Sequence, residues 1–148
     1  MRKRETASPI QPVILAQRIP RASEKLRRYC KDIDRWPQRW AVFTDLDIPV
    51  GERLAAQFER FLLFLVDANR SKKTIQRHAH YLWVLGGEIL RRVRVDEKDR
   101  KRTARTLILK YVNATGGPLW NDPRYEREHK DYDAVCRQLY QFLTDDNS

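Results

Sequence analysis

The sequence has little of what most chemistries require. Its two cysteines, Cys30 and Cys136, lie far apart at apolar positions. They make no disulfide framework and read as two reduced, buried thiols in a cytosolic protein. No apolar run approaches the roughly 18 residues of a membrane-spanning helix, so no membrane partner is expected. The basic start Arg2-Lys3-Arg4 is followed by Thr6, Ala7, Ser8 and Pro9 rather than an apolar stretch, which excludes a secretory signal. There is no Cys-x-x-Cys, no His-Glu-x-x-His and no Gly-x-x-x-x-Gly-Lys, and no metal or other cofactor is expected. His78 and His80 stand about 200° apart on a helix and cannot share an ion. His78 is expected half-buried beside an apolar stripe. Asp45 and Asp47, ahead of Pro49 and a helix start, read as turn and cap chemistry rather than a metal pair. No segment alternates apolar and polar residues with period two, which argues against strands.

Acidic residues are also in short supply: 20 Asp and Glu stand against 30 Lys and Arg, for a net charge of +10 in 148 residues. The excess is uneven. Residues 1–50 carry 11 basic against 6 acidic groups, residues 51–93 carry 8 against 4, and residues 94–118 carry 7 against 3. Residues 119–148 reverse the sign, with 4 against 7. A polyanion is the natural partner of the first three regions.

What the chain does have is helical periodicity. Prolines 9, 12 and 20 around Val13-Ile14-Leu15 make residues 1–20 an extended arm. Ser23 is the expected N-cap of a first helix carrying Leu26, Tyr29, Cys30 and Ile33 and stopped by Pro37. An aromatic connector follows, in which Trp36 and Trp40 anchor the chain to the body. A second helix, from about Gly51 to Asn69, shows Leu54, Phe58, Phe61, Leu62, Leu65 and Val66 on one broad face. Asn69-Arg70 breaks it, and Ser71 starts a third helix with Ile75, Ala79, Leu82, Leu85, Ile89 and Val93 on its inner side. A charged segment leads to a fourth helix near Thr103–Ala114, with Leu107, Ile108, Tyr111 and Val112. After the Gly116-Gly117-Pro118 turn, a last helix of about Lys130–Leu143 carries Tyr132, Val135, Cys136, Leu139, Phe142 and Leu143. The expected fold is all-α, a compact orthogonal bundle of four to five helices. Residues 1–50 form the arm, short helix and connector, and residues 51–148 form the helical domain.

Two features of the third helix stand out. Gly86 and Gly87 lie inside it, each at a cost of ~1 kcal/mol relative to Ala. Lacking a preceding strand they are no phosphate loop, and close approach of a neighbouring helix or a slight kink explains them. At the helix start, Ser71 can cap the first turn and leave backbone N–H groups facing a phosphate. Lys72, Lys73, Thr74, Gln76, Arg77 and His80 accompany it, mostly away from the apolar stripe. Arg91, Arg92 and Arg94 continue the charge, followed by Lys98, Arg100, Lys101, Arg102 and Arg105. Such a stripe is an electrostatic footprint for double-stranded DNA, mostly independent of sequence.

The order of motifs resembles the core-binding (SAM-like N-terminal) domain of tyrosine recombinases and phage integrases. The pattern F-x-x-F-L, a polar break and Ser-x-x-Thr-Ile fall on Phe61, Phe64, Leu65, Ser71, Thr74 and Ile75, with Leu82 on the inner face. The closing helix of that family is matched by Cys136, Arg137, Tyr140, Phe142 and Leu143. The similarity spans about residues 52–146. It implies half of a C-shaped clamp on DNA, with helices equivalent to the third and last lying against the major groove.

The chain departs from the family in its chemistry. The residues three positions after His78, His80 and His129 are Tyr81, Trp83 and Tyr132, so the family's His-x-x-Arg pair is missing. The expectation is a non-catalytic DNA-binding protein linked to a mobile genetic element. Acidic residues ahead of the last helix (Asp122, Glu126, Glu128, Asp131, Asp133) weaken its groove contact and favour a protein-contacting surface instead. A regulatory subunit of a nucleoprotein complex, partnered by a recombinase or another subunit, is the alternative, and RNA binding is a third. The sequence fixes no oligomeric state.

Overall fold

Asn69 is where the bundle turns back on itself. Its φ of 59° places it in the left-handed region that Asn tolerates better than most residues. The amide of Asn69 donates to Val66 O (3.0 Å) and that of Arg70 to Leu65 O (3.1 Å), which closes the preceding helix with a Schellman motif. The computed structural model describes residues 22–41 and 44–145. Helix α1 covers residues 22–29, and a 3-10 turn, Ile33–Arg35, runs into the short α2, Trp36–Trp40. The long pair α3, Asp47–Asp67, and α4, Lys72–Val93, forms an antiparallel hairpin about Asn69. A 3-10 turn, Glu97–Lys101, leads to α5, Ala104–Tyr111, and α6, Tyr125–Thr144, closes the chain. Among the described residues there is no strand, only an isolated bridge between Asn113 and Gly116. The protein is all-α, with its helices packed against one another.

The expected stripes are the core. On α3, Leu54, Phe58, Phe61, Leu62, Leu65 and Val66 are buried, and so are Ile75, Ala79, Leu82, Leu85, Ile89 and Val93 on α4. Helix α4 is buried more widely than its stripe, since His78, Tyr81, Val84, Glu88 and Leu90 are also covered. It is the central helix, in contact with α2, α3, α5 and α6. Leu26, Trp36 and Trp40 join the same core. The division at residue 50 therefore falls inside α3, and the described part of residues 1–50 packs with the rest. The arm, residues 1–20, and Phe43 lie outside the described residues.

Several boundaries differ from the sequence reading. The first helix ends at residue 29 rather than at Pro37, and Pro37 lies in the first turn of α2, where its missing N–H has no partner to lose. Ser23 lies within α1 and its Oγ accepts from Arg27. Arg27 also reaches Asp34 (2.6 Å) and Glu59 (3.2 Å), tying α1 to α3. Helix α3 begins at Asp47, not Gly51, because Pro49 fits a first helical turn as well as it fits a connector. Asp47 is not a cap. It is fully buried and paired with Arg94 (2.6 Å) and Arg100 (3.3 Å). Helix α5 stops at Tyr111, and α6 begins at Tyr125, where Glu126 and Glu128 suit its positive end.

Candidate nucleic-acid interface

The start of α4 is built by local rules. Ser71 is extended (φ −67°, ψ 156°), and its Oγ accepts from the Thr74 amide at 3.1 Å while its hydroxyl donates to Thr74 Oγ1 at 3.0 Å. This cap satisfies one N–H of the first turn and leaves the others facing outward. Ile75 and His78 turn inward and are buried, so Lys72, Lys73, Gln76, Arg77 and His80 are exposed on the opposite side. His78 is more deeply buried than expected, at 1% exposure. Its Nδ1 donates to Thr74 O (2.8 Å) and its Nε2 pairs with the Gln138 side-chain amide (2.8 Å), joining α4 to α6.

These exposed residues are not equivalent. Gln76 donates to the Tyr29 carbonyl at 2.9 Å, which makes it a tie between α4 and α1. The Lys72 ammonium sits 5.9 Å from the Tyr29 ring. Among the described residues, Lys73 and Arg77 have neither a hydrogen bond nor an ion pair. His80 Nε2 lies 3.9 Å from Glu128 Oε1, which makes an acidic group of α6 its neighbour. The same Glu128 oxygen accepts from the Tyr81 hydroxyl at 2.8 Å. Burial first, and then this bond to a carboxylate, push the Tyr81 phenol up to about 12.

The second basic group lies elsewhere. Helix α4 is 22 residues long, so its two ends stand roughly 33 Å apart. Lys73 and Arg91 lie on the same side of the helix, but Tyr81 and Val84 between them are buried. The charge thus forms two clusters, one at each end of α4, and not the continuous stripe the sequence suggested. Most of the distal cluster is engaged internally. Glu88, 8% exposed, pairs with Arg91 and with Arg92 (3.0 Å). Arg92 also donates to Leu119 O (3.2 Å), and Arg105 donates to Leu143 O (3.0 Å). Arg94 and Arg100 hold Asp47, and Arg94 donates to Trp40 O at 2.9 Å. Arg102 (2.8 Å), Lys110 (2.8 Å) and Tyr111 (3.0 Å) converge on the fully buried Asp99. Burial alone would raise the Asp99 carboxyl, but these hydrogen bonds outweigh it and hold the group below its usual range. Lys98 and Lys101 are exposed on the 3-10 turn.

The sequence reading missed these buried carboxylates because the burial of a single acidic residue leaves no periodic trace, whether in the charged segment around Asp99 or beside the apolar neighbours of Asp47 and Glu88. Their signal was the ratio of charges: a few acids among many bases will each draw several partners. Among the described residues no three His, Cys, Asp or Glu side chains come together as a metal site would require. The two Trp residues of the connector are buried, with ring centroids 5.7 Å apart, and anchor the connector in the core. Comparison with family models, curated proteins and solved structures finds no match to this chain.

Proposed function

We propose that this protein binds double-stranded DNA without catalysing a reaction on it, in the manner its resemblance to a recombinase core-binding domain implies. One observation carries the reading. The capped first turn of α4 presents Lys73 and Arg77 without a hydrogen bond or ion pair among the described residues, beside Lys72, while the opposite side of the same turn is fixed in the core by Ile75 and His78. A cationic turn on a rigid, central helix can meet phosphates with little ordering cost, and contacts of that kind position a protein without reading sequence. The distal cluster adds Lys98, Lys101 and the exposed part of Arg102 as secondary contacts. A gel-shift series tests the reading. Affinity should fall steeply with salt, each neutralised phosphate adding about −0.9 to the log–log slope. Lys73→Glu with Arg77→Glu should weaken binding to all duplexes alike, and an unchanged affinity would move the interface elsewhere.

A second reading, a protein-interaction module, has one observation in its favour. Phe64 is 53% exposed and packs on Phe142 (5.2 Å between centroids) at a groove of about 410 Å³ between α3 and α6. An exposed aromatic beside an apolar groove suits a protein contact better than a phosphate backbone. A stable assembly formed in the absence of nucleic acid, seen by sedimentation or mass photometry, would favour this reading.

A further inference from the structure

Duplex binding does not use everything the exposed side of α4 borders. Between α4 and the segment leading from α1 into α2 lies an open cleft of about 380 Å³. Aromatic groups line it: Tyr29, Trp36, His80 and Trp83. Trp83 differs from the other tryptophans. It is 37% exposed, whereas Trp36, Trp40 and Trp120 are buried. Among the described residues its ring stacks on no other, and its backbone is braced by the Trp40 indole N–H, which donates to Trp83 O at 3.0 Å. An exposed indole on a rigid helix is a stacking surface that costs little to order.

The polar groups around it are complementary in kind. The ammonium groups of Lys25 and Lys72 each lie 5.9 Å from the centroid of the Tyr29 ring, which itself lines the cleft. Asp32 lines it with an exposed carboxylate. Gln76 spends its amide N–H on Tyr29 O, and its side-chain oxygen has no donor among the described residues. Two cations beside a lining ring, a free aromatic face and two acceptors make a set that matches one nucleotide. In such a match a phosphate would meet Lys25 and Lys72, the ring would stack on Trp83, and the N–H groups that every base carries would meet Asp32 or Gln76.

We infer that this cleft takes the base of an unpaired nucleotide in a DNA strand, stacked on Trp83 with its phosphate held by Lys72 and Lys25. The inference rests on the DNA-binding reading for its partner, but it makes a separate demand. Duplex binding needs Lys73 and Arg77, whereas base capture needs Trp83.

Fluorescence anisotropy of the full chain with a short labelled single strand, an abasic strand of equal length and a duplex tests it. The base-bearing strand should bind more tightly than the abasic one. Trp83→Ala should weaken the base-bearing strand by about 5- to 140-fold, the range expected for one stacked base, and leave duplex affinity unchanged. Trp83→Phe, which keeps a stacking face, should retain most of the affinity. Equal binding of base-bearing and abasic strands, or of wild type and Trp83→Ala to the base-bearing strand, overturns the inference. Base-dependent strand binding without duplex binding would support the cleft and sink only the duplex reading, whereas no binding to any DNA sinks both.

Discussion

The Trp40 indole occupies the space that a side chain at Gly86 would need. A Cβ at Gly86 would lie 2.2 Å from Trp40 Cζ2, far inside van der Waals contact. Nε1 of the same ring donates to Trp83 O at 3.0 Å, so α2 both packs on and bonds to the backbone of α4. Trp40 is held in turn by Phe58 (6.2 Å between centroids) and Trp36, and has little room to yield.

The two glycines of α4 should therefore respond oppositely to alanine. At Gly87 a Cβ would meet Trp40 at 3.7 Å, an ordinary contact, and Gly87→Ala should gain up to about 1 kcal/mol from helix propensity. Gly86→Ala should lose about 1–3 kcal/mol through overpacking. Urea denaturation of both variants measures this, and a stabilising Gly86→Ala would show that the Trp40 contact is looser than described.

The two basic clusters should separate binding from stability. Arg94→Gln removes one partner of the fully buried Asp47 and should cost about 3 kcal/mol of folding stability. Lys73→Glu lies on an exposed face and should change stability by less than about 0.5 kcal/mol while weakening DNA binding. Thermal or urea unfolding alongside gel shifts would place both variants on the two axes. A destabilising Lys73→Glu would mean that this lysine has a structural role.

Acid should unfold the protein in part through Asp99. Its carboxyl is held below the usual value, so it contributes stability above the unfolded-chain pKa of about 3.9 and loses that contribution as pH falls through the lower folded value. Asp34 is lowered by Arg27 in the same sense. Asp99→Asn should destabilise the protein at neutral pH and flatten the decline in urea midpoint between about pH 5 and pH 2. An acid limb of unchanged slope in Asp99→Asn would assign it to other carboxylates.

Both thiols should be inert in the folded state. Burial pushes Cys30 up to about 11, and burial together with the Asp133 carboxylate raises Cys136 further. At neutral pH a thiol reagent should label neither until the chain unfolds, because the thiolate is the reacting species. Fast labelling of native protein would show that one of them opens to solvent.

Much of the candidate interface was legible as far as local rules reach. Ser71 caps α4 because the residue type and its place before an apolar stripe require only nearby atoms, and Lys72, Lys73 and Arg77 fall outside that stripe by helical geometry alone. The engagement of the distal arginines is not legible in the sequence, for the opposite reason. Arg94 meets Asp47, and Arg105 meets Leu143 O, 47 and 38 residues away along the chain, and no periodicity records such distances.

The sequence by itself determined that the chain is all-α and which apolar stripes of its long helices face the core. Those depend on the 3.6-residue period and on the transfer of apolar side chains out of water, and both act at short range. Tertiary structure alone decided how the charge is spent. It buried Asp47, Glu88 and Asp99, and the need to compensate each carboxylate drew arginines inward that would otherwise face solvent. It also decided the fate of the glycine pair, because only the meeting of α2 with α4 distinguishes Gly86, which must stay small, from Gly87, which has room.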